Sequence, residues 1–166
     1  MINYIEKGDG LHDAISAAGL SLWEEPNGWK TGAGQEADIQ QIIDTYDPVA
    51  PALAQKWKAI QDERDRRKHA GFMTEGHRFH SDPDSRIQQL GLVMMGNSMP
   101  SGIMWKTMDG SFVPMTPALA AAIFQTTANS DVALFTAAEN HRAVINAMTD
   151  WKAITDYDFS GGWPEV

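Results

Sequence analysis

The chain contains no cysteine, which excludes disulfides, thiolate-bound zinc and cysteine nucleophiles together. It also has no run approaching the roughly 20 apolar residues that a bilayer-spanning helix requires. Basic residues are scarce: 13 Lys and Arg against 22 Asp and Glu give a formal net charge of −9. That balance opposes broad binding to nucleic acid, whose affinity comes largely from neutralised phosphates. The start, Met1-Ile2-Asn3-Tyr4-Ile5-Glu6-Lys7-Gly8, lacks the basic residues and long apolar run of a secretory signal, so a cytoplasmic site of synthesis is expected. What remains is an ordinary globular composition, 43% apolar and 21% charged over 166 residues, enough for a small domain joined to a medium one. Six Trp and six Phe supply bulky groups for packing and for interfaces.

The fold class expected is α+β, in three segments. Residues 1–47 read as a small α/β docking unit. Ile2, Tyr4 and Glu6 alternate as a short strand, ended by Gly8-Asp9-Gly10. Leu11, Ala14, Ile15 and Ala18 recur at helical spacing before Gly19, and Asn27-Gly28 marks a hairpin. A helix over about Gln35 to Tyr46 carries Ile39, Ile42, Ile43 and Tyr46 on one face and stops at Asp47-Pro48. Residues 48–70 read as a helical connector, apolar at Leu53, Trp57 and Ile60 and charged all round thereafter. Arg64-Asp65-Arg66-Arg67-Lys68-His69, interleaved with acids, is expected to form a solvated or intersubunit face.

Residues 71–166 read as an interaction domain built on a repeated grammar. Glu75-Gly76 and Asp109-Gly110 are hairpin-turn pairs 34 positions apart, and seven residues beyond each Gly comes a proline, in Asp82-Pro83 and Thr116-Pro117. Asp and Thr cap open helix N–H groups, and proline suits the first helical position. The pattern predicts two hairpin-plus-helix units. The first helix runs from Asp82 to about Met95 with Ile87, Leu90, Val93 and Met94 on its apolar face, and the second starts at Thr116-Pro117 with contacts through Leu119, Ala122, Ile123 and Phe124. Asn129-Ser130-Asp131 predicts a break and a new cap before a long C-terminal helix. That helix is lined by Leu134, Phe135, Ala138, His141, Arg142, Ile145 and Met148 and reaches about Trp151. The tail from Tyr157 to Pro164 has aromatics without a period and is expected to dock, extended, on the body or on a partner.

Candidate chemistry is sparse. His77 and His80, with Asp82 and Asp84, have metal-ligand side chains. On a strand, however, positions 77 and 80 face opposite ways, and the two acids suit a helix cap and first turn. Ser81, Ser85, Ser101 and Ser111 lack a nucleophile elbow. Gly32-Ala33-Gly34 lacks the remaining glycines or Gly-Lys-Ser ending of a phosphate loop and reads as a flexible strand-to-helix joint. His141 and Arg142 read as an amphipathic edge or intersubunit contact. Met94, Met95, Met99, Met104, Met108 and Met115 suit an irregular core or an adaptable interface. No catalytic, cofactor-binding or metal-ligating residue is assigned, and no cofactor is expected.

The stretches Arg64-Asp65-Arg66-Arg67, Gly76-His77-Arg78-Phe79-His80-Ser81-Asp82-Pro83-Asp84-Ser85, Trp105-Lys106-Thr107-Met108-Asp109-Gly110 and Met115-Thr116-Pro117-Ala118 resemble, in order, the uncharacterised family called domain of unknown function 4376. The resemblance covers roughly residues 60–150. The ending Gly162-Trp163-Pro164-Glu165 is similar to the C-termini of such proteins, and residues 1–47 resemble small modules of phage tail proteins. Members are encoded largely in tailed bacteriophages and prophages, often near tail-fibre genes, with no enzymatic activity attached. The resemblance implies a non-enzymatic structural protein of the tail tip, baseplate or fibre attachment. Such a protein would reside in the virion tail after assembly in the host cytoplasm and bind fibre or baseplate proteins. A homo-oligomer is expected, with a trimer by analogy with fibres. The alternatives are a tail-fibre assembly chaperone and a hydrolase of host surface polymers that uses two carboxylates.

Overall fold

The computed structural model describes residues 2–8 and 10–165. Asp9, expected in the turn after the first strand, lies outside them. The architecture is α+β, with six α-helices and three separate two-stranded antiparallel hairpins among the described residues. Two compact units follow contacts rather than chain order: Met1–Trp57 with Val144–Tyr157, and Lys58–Ala143 with Asp158–Val166.

In the first unit, α1 (Gly10–Ala17) and α2 (Glu36–Thr45) bury Leu11, Ile15, Ile39 and Ile43 against one another. Between them β1 (Leu22–Glu25) and β2 (Gly28–Thr31) pair across the two-residue loop Pro26-Asn27. Residues 2–6 do not form the expected strand. The reason is local: the Asn3 amide donates to Gln40 Oε1 at 2.8 Å, and Gln40 Nε2 donates to the Asn3 carbonyl at 3.2 Å. One side-chain amide on α2 thus satisfies both backbone groups that a strand partner would have taken. The chain leaves α2 through Asp47, whose carboxylate accepts the Val49 amide at the start of α3 (Val49–Lys68).

The second unit contains both copies of the repeated grammar. In the first, β3 (Phe72–Thr74) and β4 (His77–Phe79) pair across Glu75-Gly76, both at positive φ (49° and 80°), the backbone of a tight hairpin turn. Helix α4 (Pro83–Met95) follows, capped by Asp82, which accepts the Ser85 amide at 3.0 Å. In the second, β5 (Met104–Lys106) pairs with β6 (Phe112–Pro114), and α5 (Pro117–Asn146) is capped by Thr116, which accepts the Leu119 amide at 3.1 Å. Phe79 and Val113, at equivalent positions, share the core with Phe72, Leu92, Met115, Leu119 and Ile123. The Met108 amide donates to the Arg78 carbonyl at 2.8 Å, joining the second hairpin to the first.

Three expectations fail here. No break occurs at Asn129-Ser130-Asp131: α5 continues for 30 residues, about 45 Å. Asp131 caps nothing, because its carboxylate is taken by Arg86 and Lys68 from other helices. The helix instead ends at Asn146, short of Trp151, and a separate α6 (Trp151–Asp156) starts on Asp150, which accepts the Lys152 amide at 3.1 Å. Third, of the four residues expected on the apolar face of α4 only Val93 packs against the core. Ile87 is 69% exposed, Leu90 43% and Met94 80%, while Gln89 and Leu92 are buried.

Gly71 sits at φ 91°, and a Cβ there would lie 2.9 Å from the Phe79 carbonyl oxygen. Gly91, in α4, has open space around it. Gly71→Ala therefore lowers stability by about 1–3 kcal/mol. Gly91→Ala raises it by about 0.5–1 kcal/mol. Urea denaturation of the two variants checks the opposite signs.

Candidate interaction surface

The residues with metal-ligand types are used for structure. The His77 ring meets Phe79 edge-on, with ring centroids 6.4 Å apart. The His80 carbonyl accepts Gln89 Nε2 at 2.8 Å, and Asp82 caps α4, its carboxyl held below the usual range by the Ser85 hydroxyl and amide. Among the described residues no three His, Asp or Glu side chains come together in a group able to hold a metal ion. Of the serines, Ser81 accepts the Gly71 amide at 2.8 Å, Ser85 donates to Asp82 at 2.7 Å, and Ser111 donates to Asp109 at 2.8 Å. Asp109 is drawn down to about 2 by hydrogen bonds from the Thr107 hydroxyl and from the Ser111 amide and hydroxyl. It closes a turn, and His77 adds a smaller electrostatic contribution in the same direction. Gly32-Ala33-Gly34 joins β2 to α2, where Gln35 Oε1 folds back to accept the Ser21 amide at 3.0 Å.

The basic stretch of α3 is divided: Arg66 is exposed and pairs with Glu63 one turn earlier at 2.6 Å, as expected of a solvated face, while Arg64, Arg67 and Lys68 are drawn against other parts of the unit. Arg64 lies over the Phe135 ring at 4.3 Å and binds Asp65 through two nitrogens, at 2.8 and 3.0 Å. Arg67 lies over Trp163 at 5.3 Å, and Lys68 Nζ is 3.6 Å from Asp131. Guanidinium groups can cover aromatic faces while keeping their hydrogen bonds, which is how a helix charged all round is covered on one side. The tail joins the same arrangement. Trp163 Nε1 donates to the Phe159 carbonyl at 2.7 Å, and buried His141 lies against the Trp163 and Phe159 rings at 5.1 and 6.4 Å. Arg142, beside it, is exposed and reaches Glu139 at 3.5 Å.

What the folded unit leaves uncommitted is an apolar groove between α4 and α5, with a cavity volume of about 340 Å³. Ile87 and Leu90 form one wall, Phe124 and Ala128 the other, and Arg86 with Asp131 closes one end. Phe124 is 47% exposed, and Met94 extends the α4 wall by one turn. Arg86 reaches Asp131 with two nitrogens, at 2.8 and 3.0 Å, and also donates to the carbonyls of Ser81 and Lys68, at 2.7 and 3.1 Å. Helical spacing finds the stripe of Ile87, Leu90 and Met94 but not the direction it faces. The available signal was excess: α4 carries Leu92 besides Ile87, Leu90, Val93 and Met94, more apolar side chains than one buried face requires. Of the six methionines clustered in the sequence, Met94, Met95, Met104 and Met108 are exposed and Met115 is in the core.

The family description Domain of unknown function (DUF4376) matches residues 51–160, about two thirds of the chain. The chain belongs to this family. The matched region contains the groove and the hairpins β3–β4 and β5–β6, but not β1–β2. No curated protein and no solved structure matches the chain significantly.

Removing Asp131 leaves Arg86 without its anion in a largely covered setting, so Asp131→Ala costs about 1–3 kcal/mol. The double change Arg86→Met with Asp131→Ala costs less than the sum of the single changes, as a denaturation double-mutant cycle will show. Glu63 is held at about 2, well below its ordinary 4.5, by hydrogen bonds first from Arg66 and then from Arg67. Its folded-state pKa is depressed, so its contribution is complete above pH 4.5 and is lost as pH falls towards 2. Glu63→Gln flattens the pH dependence of the urea midpoint in that window.

Proposed function

We propose that this chain is a non-enzymatic structural protein of a bacteriophage tail, at the tail tip, baseplate or fibre attachment, acting through protein–protein contacts. The observation that carries the reading is the apolar groove between α4 and α5, inside the family domain, where large side chains stand exposed on a surface with little charge. Contiguous exposed apolar surface of this kind is characteristic of contact with other proteins. Further support comes from the candidate catalytic and metal-binding residues, which serve as caps and turn closures. The partners proposed are fibre or baseplate proteins and further copies of the chain itself. The proposed location is the virion tail, reached after assembly in the host cytoplasm.

Mass spectrometry of purified particles from the phage or prophage encoding this chain is expected to find it in stoichiometric amount. Its absence from particles, with recovery on fibre protein in infected cells, would instead support an assembly chaperone. Incubation with host envelope polysaccharide is expected to release no new reducing ends; their appearance would favour the hydrolase.

A further inference from the structure

We infer that the groove between α4 and α5 is closed by the same face of a second copy of this chain, in a two-fold pair. The inference deepens the proposed self-association, on which it rests, by naming the face. Three observations lead to it.

The first is charge. Residues 87–138 contain only Lys106, Asp109 and Asp131 as charged side chains, in a chain of net charge −9. Two copies therefore repel over most of their surface and least at this face. A partner selected by charge would find little to pair with there, since Asp131 is already taken by Arg86 and Lys68.

The second is shape. Met94, 80% exposed, stands one helical turn beyond Leu90, next to the groove that Ile87, Leu90, Phe124 and Ala128 line. A projecting side chain beside a groove on one face is self-complementary, because a two-fold axis places each projection in the other copy's groove. The flexible, unbranched Met side chain is suited to filling such a space.

The third is area. Ile87, Leu90, Met94, Phe124 and Val132 are 69%, 43%, 80%, 47% and 67% exposed. They leave roughly 600 Å² of apolar surface uncovered, near the upper end for a monomer's largest patch and comparable with the ~800 Å² per partner of a standard interface. Polar residues at the rim supply the remainder.

The test is the molar mass of the full chain by light scattering, across a concentration series, with far-UV circular dichroism as the check on folding. The wild type is expected at twice the 18.3 kDa chain mass. Met94→Asp and Ala128→Trp, which remove the projection and fill the groove, are each expected to weaken pairing by about thirtyfold or more with an unchanged spectrum. Phe112→Asp, at a position 60% exposed on β6 outside the groove, is expected to leave the pair intact. If Met94→Asp does not fold, Ile87→Asp takes its place. A monomeric or trimeric wild type overturns the inference, as does a dimer that survives both groove variants or is lost with Phe112→Asp. A monomer whose groove variants instead lose a fibre or baseplate partner assigns the face to that partner and also overturns the pairing. Virion content is measured separately, so failure of the pair and failure of the tail assignment are told apart.

Discussion

The Arg86 guanidinium is the constraint on which the second unit depends. It binds both oxygens of Asp131 on α5, the Lys68 carbonyl at the end of α3 and the Ser81 carbonyl just before α4. The end of α3 and the start of α4 are thus tied to the middle of α5 by one planar, permanently charged group, for which a bidentate carboxylate is the natural partner. Three residues later, a single helical turn, Gln89 is buried and donates to the His80 carbonyl. Polar side chains therefore take part of the inward face of α4, and the apolar stripe of Ile87, Leu90 and Met94 is turned outward. The energies favour this arrangement. Each buried carbonyl or carboxylate left without a donor costs about 1–3 kcal/mol, and four acceptors are served. Fully burying Ile87 or Leu90 would return about 1.5–3 kcal/mol each, and both are already partly covered.

The same preference for satisfied polar groups runs through the chain. Gln40 replaces a strand for residues 2–6, Asp109 closes the second hairpin, and Asp131 is drawn from a helix cap into a cluster between helices. Asp109 acts within its own turn, whereas Gln40 and Asp131 serve groups far away in the chain. The aromatic residues behave alike: Phe135 and Trp163 lie under Arg64 and Arg67, so that α3 is covered although its sequence there has no apolar stripe.

Most of the local structure was legible from residue order. The turn at Glu75-Gly76, the caps at Asp82 and Thr116, and the prolines that open α4 and α5 all depend on interactions within a few residues. Such interactions recur wherever the same short pattern occurs. The candidate surface was legible only in part. Spacing groups Ile87, Leu90, Val93 and Met94 as one apolar stripe, of which only Val93 meets the core, because spacing gives the width of a face and not its direction.

The sequence by itself determined the α+β class, the repeated hairpin and helix starts and the family, since these rest on backbone preferences and on motifs read in order. Tertiary structure alone decided that α5 continues through Asp131, that the basic end of α3 is covered, and that α4 turns its largest apolar side chains outward. The first and third outcomes depend on which donors buried carbonyls and carboxylates find, chiefly Arg86 and Gln89, and the second on the rings of Phe135 and Trp163, brought from elsewhere in the chain.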